Sequence, residues 1–253
     1  MKSKYALLII YVLFQTFTVV LAQEEEEEDQ PVRKRQSGLV GGGGGVTPAW
    51  FLLKTDEINK SLALGNLPQL SNSGMFVMGG GGFFYVGFIP NLRFGGIGAG
   101  GSMEETQTQN GIFKSTKLSI SYGGGSIEYV LPFGDFHIAA GILLGGGSSE
   151  LTLTKSPTAS LDWNNLFPQF SDGASTNSTR HQLTSSFFTY QPMLSAEYVP
   201  IPFVTIRLSG GYFGMSAGDW SMDEEFKITN APDLKLQSPF IQLGVFFGAF
   251  LGR

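Results

Sequence analysis

The stretch FKSTKLSISYGGGSIEYVLPFGDFHIAAGILLGGGSSELTLTK, residues 113–155, decides the fold of this chain. Apolar and polar residues alternate along both of its halves, which is the period of a strand with one apolar face. A short break at Gly134 and Asp135 separates the two halves. The stretch therefore predicts one long antiparallel hairpin.

The apolar positions change parity within each arm of this hairpin. In the first arm they are Leu118, Ile120 and Tyr122 before the glycines at 123–125, and Ile127, Tyr129 and Leu131 after them. The second arm changes in the same way across the glycines at 145–147, and antiparallel pairing places the two triplets nearly side by side. A β-bulge shifts the phase by one residue, so we predict a bulge at each triplet. A flexible glycine linker within each arm is the alternative.

Each arm has about twenty residues, whereas a tilted strand crosses a bilayer in roughly 9–11 residues. If the hairpin crosses a membrane, the outer parts of both arms project beyond it.

The first 22 residues have the pattern of a cleaved secretory signal. Lys2 and Lys4 precede an apolar run over 5–21, and the run ends in Val20, Leu21 and Ala22. We expect cleavage after Ala22. An uncleaved anchor helix is the alternative, because the apolar run approaches the length that spans a membrane. Residues 23–38 follow as an acidic and then basic tail, which predicts a disordered periplasmic segment.

The composition favours an exported β-protein. The chain has no cysteine, so an exported form is held together by its sheet or by lipid rather than by disulfides. It contains 35 glycines and 22 phenylalanines, and low-complexity disorder would lack the phenylalanines. The sequence has no basic patch of the kind that indicates binding to nucleic acid.

Further segments alternate as strands do or repeat a helical pattern. The strand-like segments are 39–53, 73–88, 92–106, 185–199, 202–217 and 238–250. Pro48 makes the first an edge or irregular strand. Residues 55–66 predict a short helix at the barrel mouth, with Thr55 as N-cap and an apolar side formed by Ile58, Leu62 and Leu64.

The lengths of the connections orient these strands. The connections near Pro90, Gly134 and Pro200 are short, and those near residues 108, 170 and 228 are longer. Outer-membrane barrels have short periplasmic turns and long outer loops. The pattern predicts a closed antiparallel transmembrane barrel of about eight strands over 39–253. A count of seven or ten follows if 39–53 or 225–236 is misassigned.

In its signal, alternation, loop asymmetry and aromatic last strand, the chain resembles the small outer-membrane β-barrel proteins of bacteria. The resemblance implies localisation in the outer membrane, with the lipid bilayer and the barrel-assembly machinery as partners. An aromatic residue usually ends the last strand in that class. Here Phe250 is followed by three further residues, so the sequence departs from the pattern.

Six charged or titratable residues are predicted to face the lumen near the short turns. They are Arg93, Glu128, Asp135, His137, Glu197 and Arg207. Unpaired burial of such charges is costly, so we expect a salt-bridged polar layer. The alternative is a selectivity or proton-handling site. The mid-strand glycines either permit strong curvature or leave room for the 55–66 helix as a plug or for a small ligand.

Four acids in the last outer loop are expected to be solvated, and a divalent-cation site is the alternative. They are Asp219, Asp223, Glu224 and Glu225. His137 and His181 lack the spacing of a metal pair, and no nucleophile or phosphate-loop motif occurs. We therefore predict no catalytic residue, no metal and no cofactor.

The leading functional hypothesis is a non-enzymatic outer-membrane protein. It has a structural role or binds an unidentified extracellular partner through the 156–184 and 218–237 loops. A narrow pore or small-ligand carrier that uses the lumen charges is one alternative. A soluble secreted β-protein is another, and a barrel enzyme acting on lipid or peptide is the least favoured.

Overall fold

The computed structural model describes residues 39–157, 178–223, 225–229 and 237–251. The predicted signal and tail therefore lie outside the described residues, as do Glu224 and most of the 156–184 loop.

Nearly all of the described chain is strand. The elements are β1 (Val40–Val46), β2 (Ala49–Phe51), α1 (Asp56–Leu64), β3 (Met75–Tyr85), β4 (Leu92–Gln109), β5 (Ile112–Phe133), β6 (Phe136–Ser156), β7 (Thr179–Ile201), β8 (Val204–Met222), β9 (Phe226–Lys227) and β10 (Ser238–Leu251). No helix in this part of the chain has the length and apolar character needed to span a membrane.

The antiparallel sheet closes on itself. Each strand from β3 to β8 pairs with the next, and β10 pairs with β8 on one side and with β1 and β2 on the other. β1 and β2 both pair with β3, so they form one wall position, interrupted at Thr47 and Pro48. β9 only extends the edge of β8. The predicted closed barrel with a ring of eight strands is confirmed.

The barrel has two different ends. At the turn end, short connections join β3 to β4, β5 to β6 and β7 to β8. At the helix end, α1 lies between β2 and β3, and Asn110 and Gly111 join β4 to β5. Both of these turn residues have positive φ, 52° and 74°, as in the turns that close two-residue hairpins. The longer loop predicted near residue 108 was therefore wrong, because residues 104–109 continue β4.

The predicted bulges at the glycine triplets were also wrong. β5 and β6 pair without a register shift from Phe113 opposite Ser156 to Phe133 opposite Phe136, with the triplets side by side as expected. The even-numbered residues of β5 face the interior on both sides of the glycine triplet, whereas the apolar residues change from the inner to the outer face. Leu118, Ile120 and Tyr122 are buried inside the barrel, whereas Ile127, Tyr129 and Leu131 are exposed on its outer surface. Register shifts occur between β7 and β8, at residues 185–187 and 198–201.

An exposed apolar belt surrounds the barrel from the turn end to its middle. On β6 it covers residues 136–144, and on β7 it covers residues 188–198. Beyond the belt the outward residues are polar, such as Ser148 on β6 and Ser186 on β7. The belt is thus nine to eleven residues tall on these strands. That height equals the roughly 9–11 residues with which a tilted strand crosses a bilayer.

The interior toward the helix end is a large apolar cluster that α1 covers. Phe51, Leu118, Leu143 and Phe213 lie in it, each fully buried. Ile58 and Leu62 on α1 join the same cluster as predicted, but Leu64 is 90% exposed and lies outside it.

Thr55 is the N-cap residue of α1, as predicted, but its side chain makes no capping hydrogen bond. Its hydroxyl instead donates to Leu70 O and lies against Asn72 Oδ1, so it ties the helix to the segment before β3. Asn59 strengthens the same tie, because its amide both donates to and accepts from the Leu70 backbone.

Inward-facing glycines permit close contact between neighbouring strands and large side chains. A Cβ on Gly145 would lie 2.0 Å from Gly123 O, and one on Gly147 would lie 2.5 Å from the Phe187 ring. A Cβ on Gly141 would meet the Glu128 side chain at 2.5 Å. These positions favour the structural explanation of the glycines over open space for a ligand.

Candidate functional site in the barrel interior

Four charged side chains from four strands meet inside the barrel near the turn end. Arg93 on β4, Glu128 on β5, Glu197 on β7 and Arg207 on β8 occupy inward positions, and each is at most 4% exposed. The register aligns them, because Arg93 lies opposite Glu128 and Glu197 lies opposite Arg207. We call these four residues the ion layer.

Arg93 is the centre of the ion layer. Its Nη2 lies 2.5 Å from both Glu128 Oε2 and Glu197 Oε1, and its Nη1 donates to Glu197 Oε2 at 2.9 Å. Nε lies 3.2 Å from Glu128 Oε2, and Nη1 also reaches the Tyr85 hydroxyl at 3.4 Å. Such forked pairing of a guanidinium with carboxylates is strong and directional.

Arg207 is held less completely. Its Nε lies 2.7 Å from Glu197 Oε1 and its Nη1 lies 3.7 Å from Glu128 Oε1. Both are ion-pairing distances, but neither Nε nor Nη2 has hydrogen-bond geometry with any described residue. Two aromatic rings also lie against the guanidinium group of Arg207. Its carbon is 4.7 Å from the centre of the Phe83 ring and 4.5 Å from that of the Phe246 ring. The guanidinium carbon of Arg93 lies 4.5 Å from the centre of Phe83 as well.

The other two predicted lumen residues lie at the border of the ion layer or outside it. His137 is buried, and its Nδ1 lies 3.9 Å from Glu197 Oε2, too far for a hydrogen bond. Asp135 is exposed at the turn end, because it is the second residue of the tight turn between β5 and β6. Its assignment to the lumen layer is therefore corrected. Both residues border a small recess at the turn end, beside Tyr85.

The ion layer contains two cations and two anions, so it is neutral without His137. It lies beside a smaller apolar cluster that contains Leu39, Phe83, Tyr85, Val130 and Phe246. Charges buried in such surroundings are stable only when paired, and the observed contacts supply that pairing. The arrangement links β4, β5, β7 and β8 across the lumen.

Phe83, Tyr85 and Phe246 also belong to this site, although they were not predicted from the sequence. The strand register could have indicated them. Tyr85 lies opposite Arg93, and Phe246 is two residues from Gly244, which lies opposite Arg207. Ser126 was missed too, and its hydroxyl donates to Glu128 Oε1 at 3.2 Å.

Of the predicted outer-loop acids, Asp219 lies near the end of β8, and Asp223 and Glu225 lie between β8 and β9, whereas Glu224 is outside the described residues. Asp219 pairs with Lys227 at 2.6 Å, and Glu225 is exposed in the turn. Asp223 accepts the Gln182 backbone N–H at 2.9 Å and lies 3.2 Å from His181 Nδ1. The Gln182 N–H, and secondly His181, lower the pKa of Asp223 below its ordinary value. Within the described residues, no three His, Asp or Glu side chains are grouped so as to hold a metal ion.

No protein-family model matches the chain, and no curated protein matches it. Solved structures similar to it include Ail, the attachment invasion locus protein of Yersinia pestis, in complex with the heparin analogue sucrose octasulfate. The identity is 13%, over 83% of this chain and 98% of that one, with a TM-score of 0.43.

Two other similar structures have names that state a location. The outer membrane protease OmpT of Escherichia coli is 8% identical over 88% of this chain and 99% of its own, with a TM-score of 0.35. A major outer membrane protein of Thermus thermophilus is 8% identical over 82% of this chain and 98% of its own, with a TM-score of 0.41. At these TM-scores nothing about the function of this chain follows from the likeness. The resemblance of architecture stands on the closed strand pairing itself.

Proposed function

We propose that this chain is a non-enzymatic outer-membrane β-barrel protein. The parts of its strands near the helix end extend beyond the membrane at the cell surface and interact with a partner there. The observation that supports the proposal most is the exposed apolar belt, nine to eleven residues tall on β6 and β7. Its height suits a bilayer crossed by tilted strands. Residues of the same strands toward the helix end then lie outside the membrane.

The extent of the belt argues against a soluble secreted protein. Large apolar side chains such as Phe136, Leu194 and Phe247 are each more than 60% exposed, on strands around the ring. A soluble monomer rarely exposes contiguous apolar patches larger than a few hundred Å². Lipid covers such a surface without a second sheet.

The paired charges and buried apolar side chains of the interior argue for an anchor rather than a pore. The ion layer is internally paired, and apolar clusters lie on either side of it. Barrels of eight strands have an interior just wide enough for side chains to fill. The ion layer therefore stabilises the barrel, and the interaction surface is outside the lumen.

The proposal includes an orientation and a route to the membrane. Short turns are periplasmic in outer-membrane barrels, so the turn end is periplasmic and the helix end faces outward. Residues 1–22 act as an export signal cleaved near Ala22. The bilayer and the barrel-assembly machinery are then the first partners, and the extracellular partner binds at the helix end.

Single cysteines on β7 test the lipid-facing assignment, because the chain has no native cysteine. Leu194 lies in the belt and Ser186 lies beyond it, and both side chains are directed outward. Leu194→Cys and Ser186→Cys proteins in proteoliposomes are treated with a membrane-impermeant maleimide. We expect labelling of the Ser186→Cys protein at once, and of the Leu194→Cys protein only after denaturation. Equal labelling of both intact proteins would contradict the proposal.

A further inference from the structure

The helix-end part of β4 has one open edge. β3 pairs with β4 only as far as Val77 opposite Gly101, whereas β5 pairs with β4 as far as Gln109. Residues 103–109 therefore have a neighbouring strand on one side only, and no other described segment makes backbone hydrogen bonds to them. Most of these residues are exposed.

The pairing fixes which backbone groups face the open edge. Val86 N–H donates to Leu92 O on the β3 side, and Val130 N–H donates to Asn91 O on the β5 side. Hydrogen-bonding direction alternates along an antiparallel strand. The backbone N–H and C=O groups of the even-numbered residues of β4 therefore point away from β5. On the open stretch these are Glu104, Thr106 and Thr108, whose N–H and C=O groups face outward from the sheet.

This edge lacks the features that usually block strand addition. Residues 103–109, with the sequence MEETQTQ, contain no proline and no lysine, and the β4–β5 ladder has no register shift. Proline, lysine and bulges are the common protections of exposed edges. The charges on the stretch are those of Glu104 and Glu105.

We propose that residues 103–109 of β4 bind an extended, basic peptide segment of a partner protein by strand addition. Main-chain hydrogen bonds to Glu104, Thr106 and Thr108 supply the affinity in this mode of recognition, and side chains supply the specificity. The two glutamates select lysine or arginine over acidic residues. The inference rests on the proposed function, since it takes this part of β4 to lie outside the membrane.

A second copy of the chain fits this edge less well. Antiparallel pairing of two β4 edges over 103–109 places Glu104 opposite Thr108 and Glu105 opposite Gln107 of the other copy, so neither acid gains a basic neighbour. Opposite charges that face each other across strands are stabilising, and a basic partner supplies them. The acidic edge therefore favours a basic partner over self-association.

The binding test uses a fluorescein-labelled peptide of eight residues with alternating threonine and lysine, and the full-length barrel in detergent micelles. Thr106→Pro removes one edge-facing N–H and leaves the β5 ladder intact, whereas Thr106→Ala removes only side-chain atoms. We expect Thr106→Pro to weaken peptide binding about tenfold. We expect Thr106→Ala to leave it unchanged, and Glu104→Gln with Glu105→Gln to weaken it about threefold.

A second measurement on the unaltered protein keeps the test independent of how the proline variant folds. Amide hydrogen exchange at Glu104, Thr106 and Thr108 should be fast in the free protein and slow once the peptide is added. The odd-numbered amides at Glu105 and Gln107 should be protected in both states, because they bond to β5.

Three results would overturn the inference. They are absence of peptide binding, equal binding by the Thr106→Pro and Thr106→Ala proteins, and a dimer in sedimentation that Thr106→Pro alone disrupts. Recovery of the same proteins from the outer-membrane fraction separates the two proposals. A membrane-inserted barrel that fails to bind the peptide refutes only the open-edge inference, whereas a protein recovered in the soluble fraction refutes the proposed function.

Discussion

Single residues of the ion layer differ in how many contacts depend on them. Glu197 contacts both arginines, with Arg93 Nη2 at 2.5 Å and Arg207 Nε at 2.7 Å. Glu128 pairs closely with Arg93 but lies 3.7 Å from Arg207. Loss of Glu197 therefore leaves two buried guanidinium groups with one carboxylate, and Arg207 with its weaker contact only.

Replacement of Glu197 by Gln should destabilise the barrel by about 3–5 kcal/mol, the usual cost of breaking a buried ion pair from one side. The measurement is the urea midpoint of the folded band in unboiled gels. Glu57→Gln, on the exposed face of α1, is the matched control and should leave the midpoint unchanged. The double variant Glu197→Leu with Arg207→Leu should recover most of the loss, because it leaves Arg93 paired with Glu128. A Glu197→Gln protein as stable as the wild type would refute the structural role of the layer.

The contact of Asp223 with Gln182 should depend on pH in the acid range. The pKa of Asp223 is lowered in the folded protein, so its ionised form stabilises the β8–β9 turn. That stabilisation is fully present above the ordinary aspartate pKa of about 3.9 and is lost as the pH falls through the lowered value. The chemical shift of the Gln182 amide should therefore titrate with a midpoint below about pH 3.9, and not at all in Asp223→Asn. A midpoint above that ordinary value would contradict the assignment.

At the scale of elements, alternation predicted strands more reliably than it predicted their sides. On β7 the exposed residues Phe188, Leu194 and Tyr198 alternate with buried Thr189 and Glu197, as predicted. On β5 the same rule predicted a bulge, whereas the apolar residues pass from the barrel interior to its outer surface with no register shift. A period of two shows that one face is apolar, but it does not show whether that face meets lipid or the barrel interior. Only the closed pairing distinguishes the two.

The open edge of β4 shows a second limit of sequence reasoning. Residues 104–109 are polar on both faces because both faces meet water, and this resembles the composition of a loop. Asn110 and Gly111 contained the signal for a tight hairpin. The ion layer was more predictable, because the inward parity of Arg93, Glu128 and Glu197 follows from the pattern of their strands. The hydrogen bonds among them depend on the register between strands.

Inward and outward glycines should respond differently to substitution. Gly145→Ala places a Cβ 2.0 Å from Gly123 O and should cost about 1–3 kcal/mol or more. Gly98 faces outward with no atom within 4 Å of a built Cβ, so Gly98→Ala should be neutral or stabilise by about 0.4–1 kcal/mol through the unfolded state. Urea midpoints of unboiled gel bands again provide the measurement. Equal losses in the two variants would contradict the packing described for the glycines.

At the scale of the whole molecule, the barrel is divided into two zones along its axis. Near the turn end the outside is apolar and the inside holds the ion layer. Toward the helix end the inside is apolar, and on β4 to β7 the outside is polar. This exchange of apolar and polar faces suits a strand that lies partly in lipid and partly in water. The proposed function therefore depends on the position of the membrane around the belt.

Membrane fractionation, followed by gel mobility of unboiled and boiled samples, tests that position most directly. The proposed function predicts recovery in the outer-membrane fraction and faster migration of the unboiled sample, because the closed sheet resists detergent until it is heated. Recovery in the soluble fraction with no heat-dependent shift would contradict it, and the belt would then have to be covered by protein.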